Sequence, residues 1–108
     1  MQAALVEARA LQVLVIVGVK ACREALLAAL NGCARLHACG QPLGAAGLFE
    51  ELEQSKPDVI VVDVSVTRGL ETIAALRRHS REVPVIALGV ESDATDILVC
   101  AEAGAAGY

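Results

Sequence analysis

The stretch Lys56-Pro57-Asp58-Val59-Ile60-Val61-Val62-Asp63 constrains the fold more than any other part of the chain. Its four consecutive β-branched residues, held between Pro57-Asp58 and a second carboxylate, read as a short strand buried on both faces. Covering both faces of a strand takes helices above and below it, which points to a parallel sheet of α/β type. In open α/β sheets, ligands and chemistry collect at the carboxyl ends of the strands. Asp63 stands at that end.

The flanking sequence supplies the helices. Residues 11–19 (LQVLVIVGV) predict a first strand. Residues 20–30 predict a helix with Cys22, Leu26 and Ala29 on one face, Arg23 and Glu24 off it, and Asn31-Gly32 as its stop. Residues 35–39 predict a weak second strand and residues 40–44 a turn. Residues 45–55 predict a helix with Leu48, Phe49 and Leu52 apolar and Glu50, Glu51 and Glu53 outward, stopped by Lys56-Pro57. After the central strand and a loop at 64–68, residues 69–79 predict a third helix with Leu70, Ile73, Ala74 and Leu76 inward. Its last turn, Arg77-Arg78-His79, suits the negative helix end. Residues 84–88 predict a fourth strand. Asp93 reads as the N-cap of a helix running to about Ala103, Gly104 as its C-terminal cap, and residues 105–108 as the opening of a fifth strand.

Strands and helices therefore alternate, with no repeat, low-complexity tract or linker. Right-handed crossovers give a doubly wound, flavodoxin-like parallel sheet of order 2-1-3-4-5. The fifth helix of such a fold is missing from the sequence. An apolar face beside strand 1, covered by a partner or a further segment, is expected in its place. Residues 1–10 read as an Ala-rich leader, and 11–108 as one domain ending near strand 5.

A length of 108 residues suits one domain and not two. A net charge of −4 leaves no electrostatic footprint for nucleic acid. With Phe49 and Tyr108 the only aromatics beside the histidines, stacking on nucleobases or sugars is not expected. No apolar run approaches the ~18 residues of a membrane span. Glu7 and Arg9 interrupt any signal peptide, so the cytoplasm is the expected compartment, where Cys22, Cys33, Cys39 and Cys100 are thiols. Cys33, His37 and Cys39 match no common zinc spacing, and buried small hydrophobes are the default reading of the cysteines. Asp58 reads as an exposed strand-start residue, His37 as a surface residue, and Arg77-Arg78-His79-Ser80-Arg81 as a solvated basic helix end. Gly18 stands alone after its strand and lacks the triple-glycine dinucleotide fingerprint.

Four stretches carry a family resemblance: Arg23-Glu24-Ala25-Leu26, the residues 56–63, Gly69-Leu70-Glu71, and Ala101-Glu102-Ala103-Gly104-Ala105-Ala106-Gly107-Tyr108. They resemble the receiver domain of bacterial response regulators (CheY-like), most of all those joined to a LuxR/NarL-type helix-turn-helix. The last stretch is similar to that family's Ala-Gly-Ala-x-Gly-Tyr signature. The resemblance spans residues 11–108. It implies an aspartyl phosphoacceptor ending strand 3, an acid pair ending strand 1 that helps hold Mg²⁺, a Thr or Ser ending strand 4, and a Lys ending strand 5. Asp63 matches the phosphoacceptor. The acid pair falls on Val17 and Gly18, the hydroxyl position falls on Gly89, and the Lys position lies past Tyr108. The loop 64–69 is shorter than the family's Met-Pro-Gly-containing one.

A small hard cation takes oxygen ligands, and one carboxylate with a backbone carbonyl such as that of Ser65 is a poor set. No Mg²⁺, other metal or cofactor is therefore expected, and Lys20 and Arg68 are the nearest candidates for substitute positive charge. The resemblance implies a degenerate, non-enzymatic, phosphorylation-independent receiver: a regulatory or dimerisation module for a DNA-binding output domain outside this sequence. Its expected partners are a second copy, through the open face or the helix 4/strand 5 surface with Ile97, Leu98 and Tyr108, and a histidine kinase or other regulatory protein. No direct contact with nucleic acid or membrane is expected. One alternative is a phosphoaccepting receiver that uses Asp63 in a two-component phosphorelay. Another is a small-molecule-binding flavodoxin-like domain with its ligand at the strand ends, where Val17, Gly18 and Gly89 leave room. From its position alone, Asp63 reads first as a strand-end carboxylate capping nearby backbone N–H groups, ahead of an acceptor.

Overall fold

The computed structural model describes residues 9–44, 46–91 and 93–108. The expected leader falls outside them except for residues 9 and 10. The sheet is parallel throughout, in order β2-β1-β3-β4. Its strands are β1 (Leu11–Ile16), β2 (Leu36–Gln41), β3 (Val59–Asp63) and β4 (Val85–Leu88). The helices are α1 (Lys20–Asn31), α2 (Leu48–Ser55), α3 (Thr67–His79) and α4 (Ala94–Ala103). Beyond α4 the chain returns to the free edge of β4. The Ala106 N–H donates to the Val85 carbonyl at 2.7 Å, the Ala87 N–H donates to the Gly107 carbonyl at 2.9 Å, and Ile86 and Gly107 form a parallel bridge. That bridge occupies the fifth-strand place in the expected order.

Alternation along each strand sorts the apolar residues onto two faces. Leu14, Ile16, Ile60, Val62, Val85 and Ala87 pack beneath α2, α3 and α4, against Leu48, Ile73, Leu76 and Cys100. Val13, Val15, Val17 and Ala38 pack on the other face beneath Leu26, Leu27 and Leu30 of α1. Burial of β3 on both faces is therefore only half correct. Ile60 and Val62 are buried, Val59 and Val61 are half-buried, and Ile86 and Leu88 of the neighbouring strand are exposed. Among the described residues, α1 alone covers that second face.

Several local expectations also change. The inward stripe of α1 is Leu26, Leu27 and Leu30, with Arg23 turned in beside it, while Cys22 is exposed. Gly32 is right-handed (φ −69°), so α1 has no left-handed glycine cap. Its end is instead tied to β2 by Asn31, whose Nδ2 donates to the Ala38 carbonyl at 3.0 Å while Oδ1 accepts the Ala38 N–H at 2.7 Å. Gly40 lies inside β2, not in a turn. A Cβ there would sit 2.9 Å from Leu27 Cδ1 and 3.0 Å from the Arg23 stem, so its smallness lets α1 approach the sheet.

α2 starts three residues later than expected, and Phe49 is not core; its ring stacks on His79 with centroids 4.6 Å apart. Asp58 is half-buried, not exposed: Oδ2 accepts the Gln12 N–H at 2.8 Å, and Arg9 approaches Oδ1 at 3.7 Å. Arg77 is not a solvated cation. Nη1 donates to the Val83 carbonyl at 2.9 Å and Nη2 to the Arg81 carbonyl at 3.2 Å, tying the end of α3 to the approach to β4. Of the four cysteines, Cys100 is buried, Cys39 half-buried, and Cys22 and Cys33 exposed, so the buried default holds for Cys100 alone. Among the described residues, no helix is long and apolar enough to cross a membrane.

Candidate functional site

The carboxyl ends of the four strands bring together the predicted positions Val17, Gly18, Asp63 and Gly89. The register pairs Ile16 with Val62 and Asp63 with Leu88, so Val17 follows beside the end of β3 and Gly89 one step past Asp63 on β4. Asp63 is half-buried. Its Oδ1 accepts two hydrogen bonds from Ser65, from the backbone N–H at 2.9 Å and from the hydroxyl at 2.7 Å. This is an Asx turn, in which a carboxylate organises the chain two residues on. Gly89 adopts φ +83°, and a Cβ there would sit 3.3 Å from the same Oδ1 and 3.5 Å from Ser65 Cβ. Its bareness brings β4 close to the carboxylate but leaves no hydroxyl to face it.

Gly69 sets the position of the opposite wall. A Cβ at Gly69 would overlap the Asp63 carbonyl oxygen and come within 2.7 Å of Val64 Cα. The first turn of α3 therefore lies directly on the end of β3, which a side chain would prevent.

Strand β1 ends without an acid. Val17 is 3% exposed and belongs to the apolar cluster under α1. Its N–H donates to the Gln41 carbonyl at 3.2 Å, and its own carbonyl accepts Arg23 Nη1 at 2.7 Å. Gly18 is exposed, with Leu43 over it; a Cβ there would meet Leu43 Cδ1 at 3.4 Å. Leu43 is partly buried against the main core. An apolar side chain and a guanidinium thus attend the strand end where the resemblance calls for two carboxylates.

Neither proposed substitute cation is directed at Asp63. Lys20 pairs with Glu24 along α1 at 3.9 Å. The Arg68 guanidinium lies against Gly44, 3.2 Å from where a Cβ would stand.

Mg²⁺, a small hard cation, takes six oxygens in near-octahedral geometry. Next to the Asp63 carboxylate stands the Ser65 hydroxyl, already donating to it, and the carboxylates of Glu91 and Asp96 line the hollow beyond. Among the described residues, no three His, Cys, Asp or Glu side chains gather in a metal-binding group. Beside the carboxylate, between Ser65, Gly89 and α4, lies a hollow of about 240 Å³. Its inner wall includes Cys100, whose thiol pKa is pushed up by burial and, secondarily, by the charge of Asp96. Cys39 is raised in the same way by burial and by Glu51.

Of the predicted interface residues, two share a surface hollow, and Leu98 is not among those that line it. Ile97 is half-buried, Leu98 and Tyr108 are 57% and 72% exposed, and Ile97 and Tyr108 line a shallow hollow of about 220 Å³ between α4 and the bridge segment. Sequence reasoning missed Ser65, Arg23, Leu43 and Gly69 as organisers of the strand ends. Only Ser65 carried a local signal, by following an Asp at the spacing of an Asx turn.

A family model described as the response regulator receiver domain matches residues 13–108. Over 69 residues the chain is 39% identical to the transcriptional regulatory protein CseB of Streptomyces avermitilis, covering 62% of this chain and 28% of that protein. The match thus takes in well under half of the relative's length. A two-component response regulator of the LuxR family from Aurantimonas sp. SI85-9A1 has a similar structure, with TM-score 0.79 at 17% identity over 92% of this chain and 72% of that one. A response regulator from Thermotoga maritima matches with TM-score 0.75 at 23% identity, over 92% and 82%. At such identities these two structures speak for the fold.

Proposed function

Because the chain belongs to the response regulator receiver domain family, we propose that it is a degenerate, phosphorylation-independent receiver that serves as the regulatory module of a LuxR/NarL-type transcriptional regulator. The observation that carries this reading is the end of β1. Val17 is buried among aliphatic side chains and Gly18 lies under Leu43, so neither supplies a ligand for a divalent cation. Phosphoryl transfer to a carboxylate brings two anions together, and catalysis of it consists largely of positive charge placed in advance on the transferring oxygens. Here Lys20 pairs with Glu24, the Arg68 guanidinium lies against Gly44, and Asp63 holds the β3–α3 turn through Ser65.

The domain acts instead through protein contacts. Leu98 and Tyr108, with the hollow beside them, form the surface for a second copy, and a histidine kinase or another regulatory protein is the remaining partner class. A DNA-binding output domain reads the resulting state. Regulation then requires a contact that differs between two conformations of this surface, since only differential affinity shifts an equilibrium.

A magnesium titration followed by heteronuclear NMR tests the reading. We expect no saturable shift at Val17, Asp63, Ser65 or Gly89 with millimolar Mg²⁺. A saturable response at those residues that a chelator reverses would contradict it.

A further inference from the structure

One face of the sheet is half bare. Among the described residues, α1 alone lies on it, packed over β2 and β1. On the uncovered half, Ile86 and Leu88 of β4 are 37% and 40% exposed, and Val59 and Val61 of β3 are half-buried. They floor an apolar trough alongside α1. The orientation of α1 shapes its wall. The stripe of Lys20, Glu24, Leu27 and Asn31 is turned to the β2 edge: Leu27 stands over Gly40, Asn31 bonds Ala38, and Lys20 pairs with Glu24 at 3.9 Å. The opposite flank, with Cys22 and Ala29, is therefore turned toward β3. The ridge farthest from the sheet is Ala21, Ala25 and Ala28. All five of these residues are exposed. A helix face toward water is ordinarily polar or charged; this one is small and apolar.

One molecule thus carries an apolar ridge and, beside it, an apolar trough of matching length. The 12 residues of α1 span about 18 Å, and the 5 residues of β3 about 17 Å. We propose that this face binds a second copy of the chain about a two-fold axis parallel to the strands, the ridge of each copy lying in the trough of the other. A lone helix from another protein would fill the trough and leave the ridge of α1 bare, whereas a second copy covers both. With α1 over β2 and β1 and the second α1 over β3 and β4, the two helices run parallel, two strand spacings or ~9.6 Å apart. That is within the ~8–10 Å at which helices pack, and the small Cys22 and Ala29 face each other across the axis. The charged stripe of Lys20 and Glu24 stays outside the contact. The footprint, about 18 Å by two helix diameters of ~10 Å, is small and belongs with transient interfaces below ~1,200 Å². This surface is separate from that of Leu98 and Tyr108, and the inference stands whether or not copies also meet there.

The test is sedimentation equilibrium of the 108-residue chain together with crosslinking by diamide, which takes two electrons from a pair of thiols and joins them as a disulfide. Helix axes ~9.6 Å apart, less a Cα radius of ~2.3 Å on each side, leave the facing Cys22 Cα atoms ~5 Å apart, inside the ~4.4–6.8 Å span of a disulfide. We expect a reversible dimer with a Kd of about 10–500 μM. A Cys22-to-Cys22 crosslink should form in Cys33→Ser and be lost in Cys22→Ser. Ala25→Glu on the ridge and Ile86→Glu on the trough floor, both at exposed positions and checked for an unchanged fold by circular dichroism, should each weaken the dimer at least about tenfold, the scale of an unpaired charge buried in an apolar contact. Leu98→Asp should leave the dimer and the crosslink intact. A folded chain that stays monomeric up to about 1 mM would overturn the proposal and give the face to another occupant. So would a crosslink through Cys33 alone, or a dimer that Leu98→Asp dissociates and that Ala25→Glu and Ile86→Glu leave unchanged.

Discussion

Gly69→Ala tests the packing that sets Asp63 in place. The added methyl would overlap the Asp63 carbonyl oxygen and stand 2.7 Å from Val64 Cα and 2.8 Å from the Asp63 carbonyl carbon. All three are backbone atoms, so no side chain can rotate away. To reach the ~3.5–4.0 Å of an ordinary carbon contact, the first turn of α3 must retreat from β3 by about 1 Å. That helix carries Ile73 and Leu76, both buried in the main core, and the retreat opens space behind them. Overpacking alone costs about 1–3 kcal/mol. Partial loss of two aliphatic contacts, each worth ~1.5–3 kcal/mol when fully buried, raises the expected loss to about 3–5 kcal/mol. Against a typical domain stability of ~5–15 kcal/mol, that is a large fraction. Urea unfolding at equilibrium measures it through a lower midpoint at constant m. Gly107→Ala is the control, since nothing lies within 4 Å of its Cβ position, and a change within about 0.5 kcal/mol is expected. A Gly69→Ala protein within 1 kcal/mol of the parent (roughly the spread of ordinary substitutions) would refute the assigned role of this glycine.

Three further outcomes follow from single residues. Gly104→Ala forces a side chain into φ +116° and onto the Arg77 stem; a loss of about 2–4 kcal/mol is expected, and Arg77→Ala in the same chain should recover part of it in a double-mutant cycle. Lys56→Gly relieves a left-handed lysine at φ +46° and should stabilise by about 0.5–1 kcal/mol, the strain relief less the entropy of glycine, read as a higher urea midpoint. The Cys39 and Cys100 thiols lie above their ordinary value of 9.0 because burial disfavours the thiolate. Above pH ~9 the unfolded chain therefore holds fewer protons than the folded one. The stability these groups contribute is complete below that pH and falls as pH rises through the folded values. Alkylation of native protein at pH 8 should correspondingly modify exposed Cys22 and Cys33 well before Cys39 and Cys100.

The sheet and its order were legible because hydrophobic runs and helical stripes alternate along the chain, and right-handed crossovers then leave few topologies. The N-cap Asp93 was equally plain, and its carboxylate accepts the Thr95 N–H at 2.7 Å. Interactions that depend on register were not legible. Gly40 and Gly69 resemble turn or helix-start glycines in sequence. Only the approach of α1 to β2, and of α3 to β3, shows that each is there for its lack of a Cβ. Arg23 and Arg77 read as surface charges because their carbonyl partners, Val17 and Val83, sit six residues away across a turn. Asp58 read as exposed because the Gln12 N–H it accepts is 46 residues distant. At the site, the absence of an acid pair at Val17 and Gly18 was plain from the chain alone. The cover of Leu43 over Gly18 was not, since it depends on how the β2–α2 connection folds back.

We propose that Asp63 is a structural carboxylate that holds Ser65, not a phosphoacceptor. Intact-mass analysis after incubation with Mg²⁺ and a small acyl-phosphate donor, in parallel on the chain and on Asp63→Asn, tests it most directly. No phosphoryl adduct is expected on either folded protein. An adduct on the parent chain that is absent from Asp63→Asn would contradict it and make Asp63 a live acceptor.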